Sequence, residues 1–192
     1  MTVRVMLVSP VTNPALQNPR FDDGTSLDAA GLRQARAAAD SLPGADRYLC
    51  APAARCRETA DALGLEASPT AALAGLDVGQ WTGRTLDDVA AAAPGGVAAW
   101  LSDPDAAPHG GESVAALVER IGGWLEGQAG GPGGRVLAVV EPAVVRAAAV
   151  HALGLPTAVF WRLDVLPLSV TSFSGRSGRW NLRVGRPLAE KN

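Results

Sequence analysis

Two short runs constrain the fold more than anything else in the 192 residues of this chain: VRVMLV, Val3 to Val8, and RVLAVV, Arg135 to Val140. Apart from one arginine in each, both are apolar and dense in β-branched side chains, and each breaks at a turn containing a proline, SPVTN in the first case and EPAVV in the second. Runs of this length and bounding read as strands buried on both faces, because a strand with one wet face would alternate. Such strands need cover on both sides. The chain should therefore build a central sheet between helical layers.

The text between the two runs supplies those layers. Asp28 is placed to cap a helical pattern, DAAGLRQARAAADSL, whose Leu32, Ala35, Ala39 and Leu42 share a face. A short strand, DRYLC, leads into APAARCRETADALG, read as a helix stopped by Gly64. From 65 to 112 Pro, Gly and Asp punctuate short helical pieces at Leu86 to Ala93 and Val97 to Leu101, as expected of an inserted cap or loop system. Ser113 then caps a helix with Val114, Leu117, Ile121 and Leu125 in a stripe. After the second strand, AVVRAAAVHALGLP is a helix ended by Gly154 and Pro156. AVFWRLDVLPLSVTSFSGRSGRWNLRVG closes the chain as strands with a hairpin around SGRSG, and the tail PLAEKN is expected to fray. Strands alternating with helices predict an α/β fold, a three-layer α/β/α sandwich on a mostly parallel sheet. Its ligand site is expected at the carboxyl ends of the central strands, where both proline turns lie.

Length and charge narrow the partners. The whole chain, 1–192, is expected to be one domain with the insertion at about 65–112. A net charge of −2 gives no footprint for nucleic acid, and no apolar stretch is long enough to cross a membrane. Cys50 and Cys56 match neither a redox nor a zinc spacing, so they read as packing residues in a reducing compartment. With no secretory leader in MTVRVMLVSP, a cytoplasmic location is expected. Nothing calls for a cofactor.

Five segments, in order and at suitable spacings, carry a resemblance: LDAAGLRQA, APAARCRETA, LDVGQWTGRT, HGGES and LAVVEPAVVRA. They resemble, respectively, the LTxxGxxQA, SPxxRxxxTA, ExxxGxWxG, GGES and VxHGxxxR segments of the histidine phosphatase superfamily, the phosphoglycerate mutase-like proteins. That resemblance spans nearly the whole chain and implies the phosphoglycerate mutase-like fold. It also implies a chemistry: a histidine attacks phosphorus, two arginines and a second histidine neutralise the phosphoryl oxygens, and a carboxylic acid protonates the leaving oxygen.

The residues at those positions here are different. Pro10 stands at the nucleophile's place, Ser9 at one clamp arginine, Val11 at the following glycine, Gly75 at the acid and Glu141 at the second histidine. Arg55 alone matches its role. Proline offers no nucleophilic atom, and a carboxylate at 141 would repel a phosphate. The expected function is that of a pseudophosphatase that binds a small polar or phosphorylated ligand, or a protein partner. The alternatives are an enzyme of changed chemistry with Glu141 as acid or base and Arg55 as anion clamp, and a residual phosphomonoesterase using direct water attack. Homodimerisation, common in the family, is open.

Candidate ligand-binding residues are Arg55, Glu141, Asp77, Glu112, Arg20 and His109. An equally good structural reading pairs Arg55 with Glu141 as a buried salt bridge. A metal held by Glu141, Glu112, Asp77 and His109 lacks any tight ligand spacing, so no metal is expected. His109 reads most simply as an exposed loop histidine, and His151, ten residues after Glu141, as a packed or capping one. Trp81 and Trp100 suit packing better than a pocket mouth. Arg146 falls one helical turn after Glu141, near enough to reach it.

Overall fold

The structure is a computed structural model and describes residues 2–12, 20–176 and 178–188, without the side chain at 184. Asn13, at the end of the first turn, and the chain from 189 onward, within the PLAEKN tail, lie outside the described residues. Six strands form one sheet: β1 (Val3–Val8), β2 (Arg47–Cys50), β3 (Ser68–Pro69), β4 (Gly134–Val139), β5 (Ser169–Arg176) and β6 (Arg179–Pro187). They lie in the order β3-β2-β4-β1-β5-β6. Neighbours from β3 to β1 are parallel, and β5 runs against both β1 and β6.

The helices are α1 (Ala29–Ala38), α2 (Ala54–Ala62), α3 (Leu86–Ala92), α4 (Gly96–Ser102), α5 (Val114–Gly130) and α6 (Pro142–Leu153). Their faces follow from the right-handedness of parallel crossovers. The chain moves one way along the sheet from β1 to β2 to β3, and the other way from β3 to β4 to β5. Hence α1 and α2 cover one face and α5 the other, where α6, which leads from β4 into the antiparallel β5, packs against α5. Adjacent strands β1 and β4 send their chains to opposite faces, so a crevice opens at their carboxyl ends. Val8 pairs with Val139 there, placing Ser9–Pro10 and Val140–Glu141 side by side.

Local chemistry accounts for the element ends. The Asp28 carboxylate accepts from the Gly31 N–H at 2.7 Å, and the Ser113 hydroxyl from Ala116 N–H at 3.1 Å. Gly154 ends α6 in the left-handed region, at φ 59°. The stripe Val114, Leu117, Ile121 and Leu125 is fully buried as α5 packs on α6. Gly122 lets those helices meet, because a Cβ there would run into the His151 ring. His151 itself binds Glu126 at 3.0 Å.

Three details differ from the sequence reading. The helix from Asp28 gives way to a 3-10 turn at Ala39–Ser41, and its buried line runs through Gly31, Ala35 and Ala38. Val11 causes that rotation: its Cγ1 would lie 2.9 Å from a Cβ on Gly31, so it seats only on a glycine. Second, AVFWRL is a 3-10 helix, Thr157–Arg162, and not a strand. Phe160 is buried, and Arg146, instead of reaching Glu141, donates from Nε to the Leu163 carbonyl at 2.6 Å while lying over the Phe160 and Trp161 rings. Third, the 65–112 segment carries its own small hydrophobic cluster of Trp81, Val89 and Trp100, against which Phe21 and Trp161 pack.

Candidate functional site

At the carboxyl end of β4, Val140 N–H still pairs with the Val8 carbonyl at 2.9 Å, and the next residue turns into α6. That residue, Glu141, stands at the helix N-cap with Pro142 behind it, but its carboxylate caps nothing. It reaches across to the first turn of α2 instead. Arg55 donates from Nε to Glu141 Oε1 at 2.8 Å and from Nη2 to Oε2, a two-pronged pairing that uses both carboxylate oxygens. Cys56 Sγ lies 3.3 Å from Oε1, and Asp22 Oδ2 lies 3.7 Å from Arg55 Nε. The arginine and glutamate side chains are only 8% and 12% exposed. Burial pushes the Cys56 thiol up to about 12, so it stays protonated and able to donate. Burial also lowers Arg55 from its ordinary value, opposed by the negative charge of Asp22.

The end of β1 contributes no reactive group. Ser9 is fully buried, and its hydroxyl donates to the Leu166 carbonyl and accepts from Ser169 N–H at 3.1 Å. Its own N–H donates to the Ser169 carbonyl at 3.1 Å, so Ser9 ties β1 to the start of β5. Pro10 is buried, and Val11 N–H donates to Thr59 Oγ1 in α2 at 3.3 Å. Gly75 stands in another relation to the site. A Cβ at 75 would sit 2.9 Å from Glu141 Cγ and 3.3 Å from Glu141 Cβ. The glutamate occupies the space that a side chain at 75 would need.

A cleft of about 370 Å³ opens beside this pair, lined among others by Phe21, Asp22, Gly75, Asp77 and Glu141. Asp77 is exposed at the cleft wall, and its Oδ1 accepts from Gly79 N–H on its own loop at 2.8 Å. Glu112 is not at the cleft: it is held by Arg120 through two bonds of 2.8 Å. Arg20 is exposed, in an isolated bridge to Thr85. His109 is fully buried, not an exposed loop residue; its Nδ1 accepts from Gly111 N–H at 3.0 Å, and its ring lies edge-on to Trp81 at 5.0 Å. Trp81 and Trp100 are packing residues, their ring centroids 5.5 Å apart.

Sequence reasoning missed three participants. Asp22 supplies a second anion to Arg55, Cys56 touches Glu141, and Arg120 positions the cleft wall by donating to the carbonyls of Ala72, Ala74 and Gly75. Cys56 had a signal, since it neighbours Arg55. Asp22 and Arg120 find their partners tens of residues away, and no local pattern marks them.

The family model for the histidine phosphatase superfamily (branch 1) matches residues 17–185. A glucosyl-3-phosphoglycerate phosphatase of Mycolicibacterium vanbaalenii is 37% identical over 102 residues, a match covering 50% of this chain and 45% of that protein. The chain thus matches less than half of that relative's length. The structure of a mycobacterial glucosyl-3-phosphoglycerate phosphatase in complex with VO3 superposes with a TM-score of 0.81 at 28% identity, covering 95% of this chain and 98% of that one. A phosphoserine phosphatase of Entamoeba histolytica superposes at 0.84 over 98% of both chains with 17% identity, a likeness of fold.

Proposed function

From the premise that the chain belongs to the histidine phosphatase superfamily, we propose that it is a pseudophosphatase: a member without phosphohistidine chemistry that binds a small polar ligand in the cleft beside Glu141. One observation carries this reading. The only phosphate-clamp group that matches the family, Arg55, is closed on an internal carboxylate that takes both of its facing donors. Glu141 acts as a built-in anion, so a phosphoryl group would have to displace a buried partner that cannot diffuse away.

The surroundings argue the same way. Asp22 and Glu141 set two negative charges against the one positive charge of Arg55, and Asp77 adds a third at the cleft wall. A phosphomonoester would meet net repulsion there. A hydroxylated or cationic molecule would not. The reading with Glu141 as acid or base and Arg55 as anion clamp has less support, because each side chain already engages the other.

The test is a steady-state assay with p-nitrophenyl phosphate and a panel of phosphomonoesters that includes glucosyl-3-phosphoglycerate, run with a vanadate titration. The expected result is no turnover above background in the native chain or in Arg55→Ala, and no vanadate binding that is lost in Arg55→Ala. Turnover that collapses in Arg55→Ala would overturn the proposal, since Arg55 would then be clamping phosphate.

A further inference from the structure

Among the described residues no helix lies over the face of β5 and β6 on the side of α1, because both helices of that layer belong to crossovers that run the other way along the sheet, from β1 towards β3. On that face lies a second hollow, about 390 Å³, walled by Arg4, Arg183 and Arg186 and bounded at one end by Pro43. No Asp or Glu lines it among the described residues.

The pairing registers show how it is built. Arg4 stands opposite Ser174, and Ser174 opposite Asn181; one step along, Ser172 stands opposite Arg183, and two residues further Val170 stands opposite Arg186. Directly opposed residues share a face of a sheet, so these rows point into one trough. Arg4 on β1 and the arginines of β6 form its two walls, about 10 Å apart across two strand spacings. Ser172 and Ser174 on β5 form a hydroxyl floor between them.

Arg183 and Arg186 would not share a face in a regular strand, where residues three apart point to opposite sides. Here they do, because β6 carries a bulge between the pairs at Val170 and Ser172 that inserts one extra residue. The irregularity brings the second guanidinium to the trough. Arg186 is also held in place, its Nη2 donating to the Ser41 carbonyl at 3.1 Å.

We propose that this trough is a binding site for a compact polyanion, a small molecule carrying two or more phosphoryl groups. Three arginines lining one trough beside serine hydroxyls supply the positive charge and the donors that phosphoryl oxygens accept from. The volume suits a small molecule. A long polyanion is a poorer match, since a chain with 19 acidic residues against 17 basic ones offers no continuous basic track beyond the trough. The site is separate from the cleft at Glu141 and does not depend on the reading of that cleft.

Inorganic tripolyphosphate is the probe, titrated calorimetrically into the full chain at low and at raised salt, with orthophosphate and a glutamate oligomer for comparison. The expected outcome is saturable binding of one tripolyphosphate per chain, weaker orthophosphate binding, and a loss in affinity of at least tenfold in Arg183→Gln/Arg186→Gln. Arg33→Gln, an exposed change in α1, is expected to leave binding unaltered. These positions are exposed, so the variants should fold, which circular dichroism would check. No saturable binding, equal loss in Arg33→Gln, or preference for the glutamate oligomer would each overturn the proposal.

Discussion

Removing Arg55 or Glu141 separately should cost far more than removing both, and by unequal amounts. Arg55→Ala leaves Glu141 and Asp22 facing one another with their cation gone, in a site where the glutamate side chain is 12% exposed. Breaking a buried pair by taking away one partner costs about 3 to 5 kcal/mol, and Arg55→Ala should lie in that range. Glu141→Ala leaves Arg55 buried, yet Asp22 remains 3.7 Å from its Nε. At an effective dielectric of about 20, charges at such a distance attract by about 4 kcal/mol before desolvation, so Asp22 recovers part of the loss. The glutamate variant should therefore be the milder by about 1 to 2 kcal/mol. In Arg55→Ala/Glu141→Ala both members of the buried pair are gone and only the more exposed Asp22 loses a neighbouring cation, and a buried pair replaced by apolar groups is often neutral. Urea unfolding of the four proteins, with m compared to verify two-state behaviour, gives the coupling. Single costs below about 1 kcal/mol, or additivity within about 0.5 kcal/mol, would refute the buried pair and place it with weak surface bridges.

Two further outcomes follow from the same packing. Gly75→Ala should destabilise the chain by about 1 to 3 kcal/mol as an overpacking change, and the cost should largely vanish in a Glu141→Ala background, because the new Cβ meets Glu141 and nothing else nearby; equal cost in both backgrounds, measured by urea unfolding, would refute the contact. Burial holds His109 below its ordinary value, only partly offset by Asp77, so an unfolded chain takes up the proton first as pH falls below about 6.5. Stability is thus present above that pH and declines from there down to the folded value, and His109→Phe, followed by the fluorescence of neighbouring Trp81 and Trp100 during unfolding, should flatten that decline; an unchanged slope would remove His109 as its source.

The sequence reading succeeded where structure is set by neighbours along the chain. Asp28 and Ser113 were recognisable as caps because each bonds an N–H three residues on. The strands β1 and β4 were visible because their buried stretches, Val5 to Val8 and Val136 to Val139, are continuous apolar runs. It failed where partners are distant. AVFWRL has the composition of a strand, but burial of Phe160 and the stacking of Arg146 on that segment wind it into a 3-10 helix. His109 sits in a glycine-rich loop that suggested exposure, and only the fold brings Trp81 and Trp100 around it. Both residues of the Arg55–Glu141 pair were nameable, while the anion that completes the group, Asp22, was not.

Gly75 and Glu141 look in the sequence like two independent departures from the family pattern, and the structure joins them into one. A side chain at 75 would meet Glu141 Cγ at 2.9 Å, so an acid there has to push the glutamate aside. While Glu141 is present, Arg55 is also engaged, so a phosphate cannot be clamped. Restoring a histidine at 10 or an acid at 75 alone therefore addresses a site still filled by its own carboxylate. Ser9 adds a second barrier, because an arginine there would have to leave a fully buried position bonded to Leu166 and Ser169 or bury a second cation beside Arg55. If the chain is the pseudophosphatase proposed above, a gain of phosphoryl transfer has to begin at residue 141, since that one side chain both crowds the acid's position and engages the clamp.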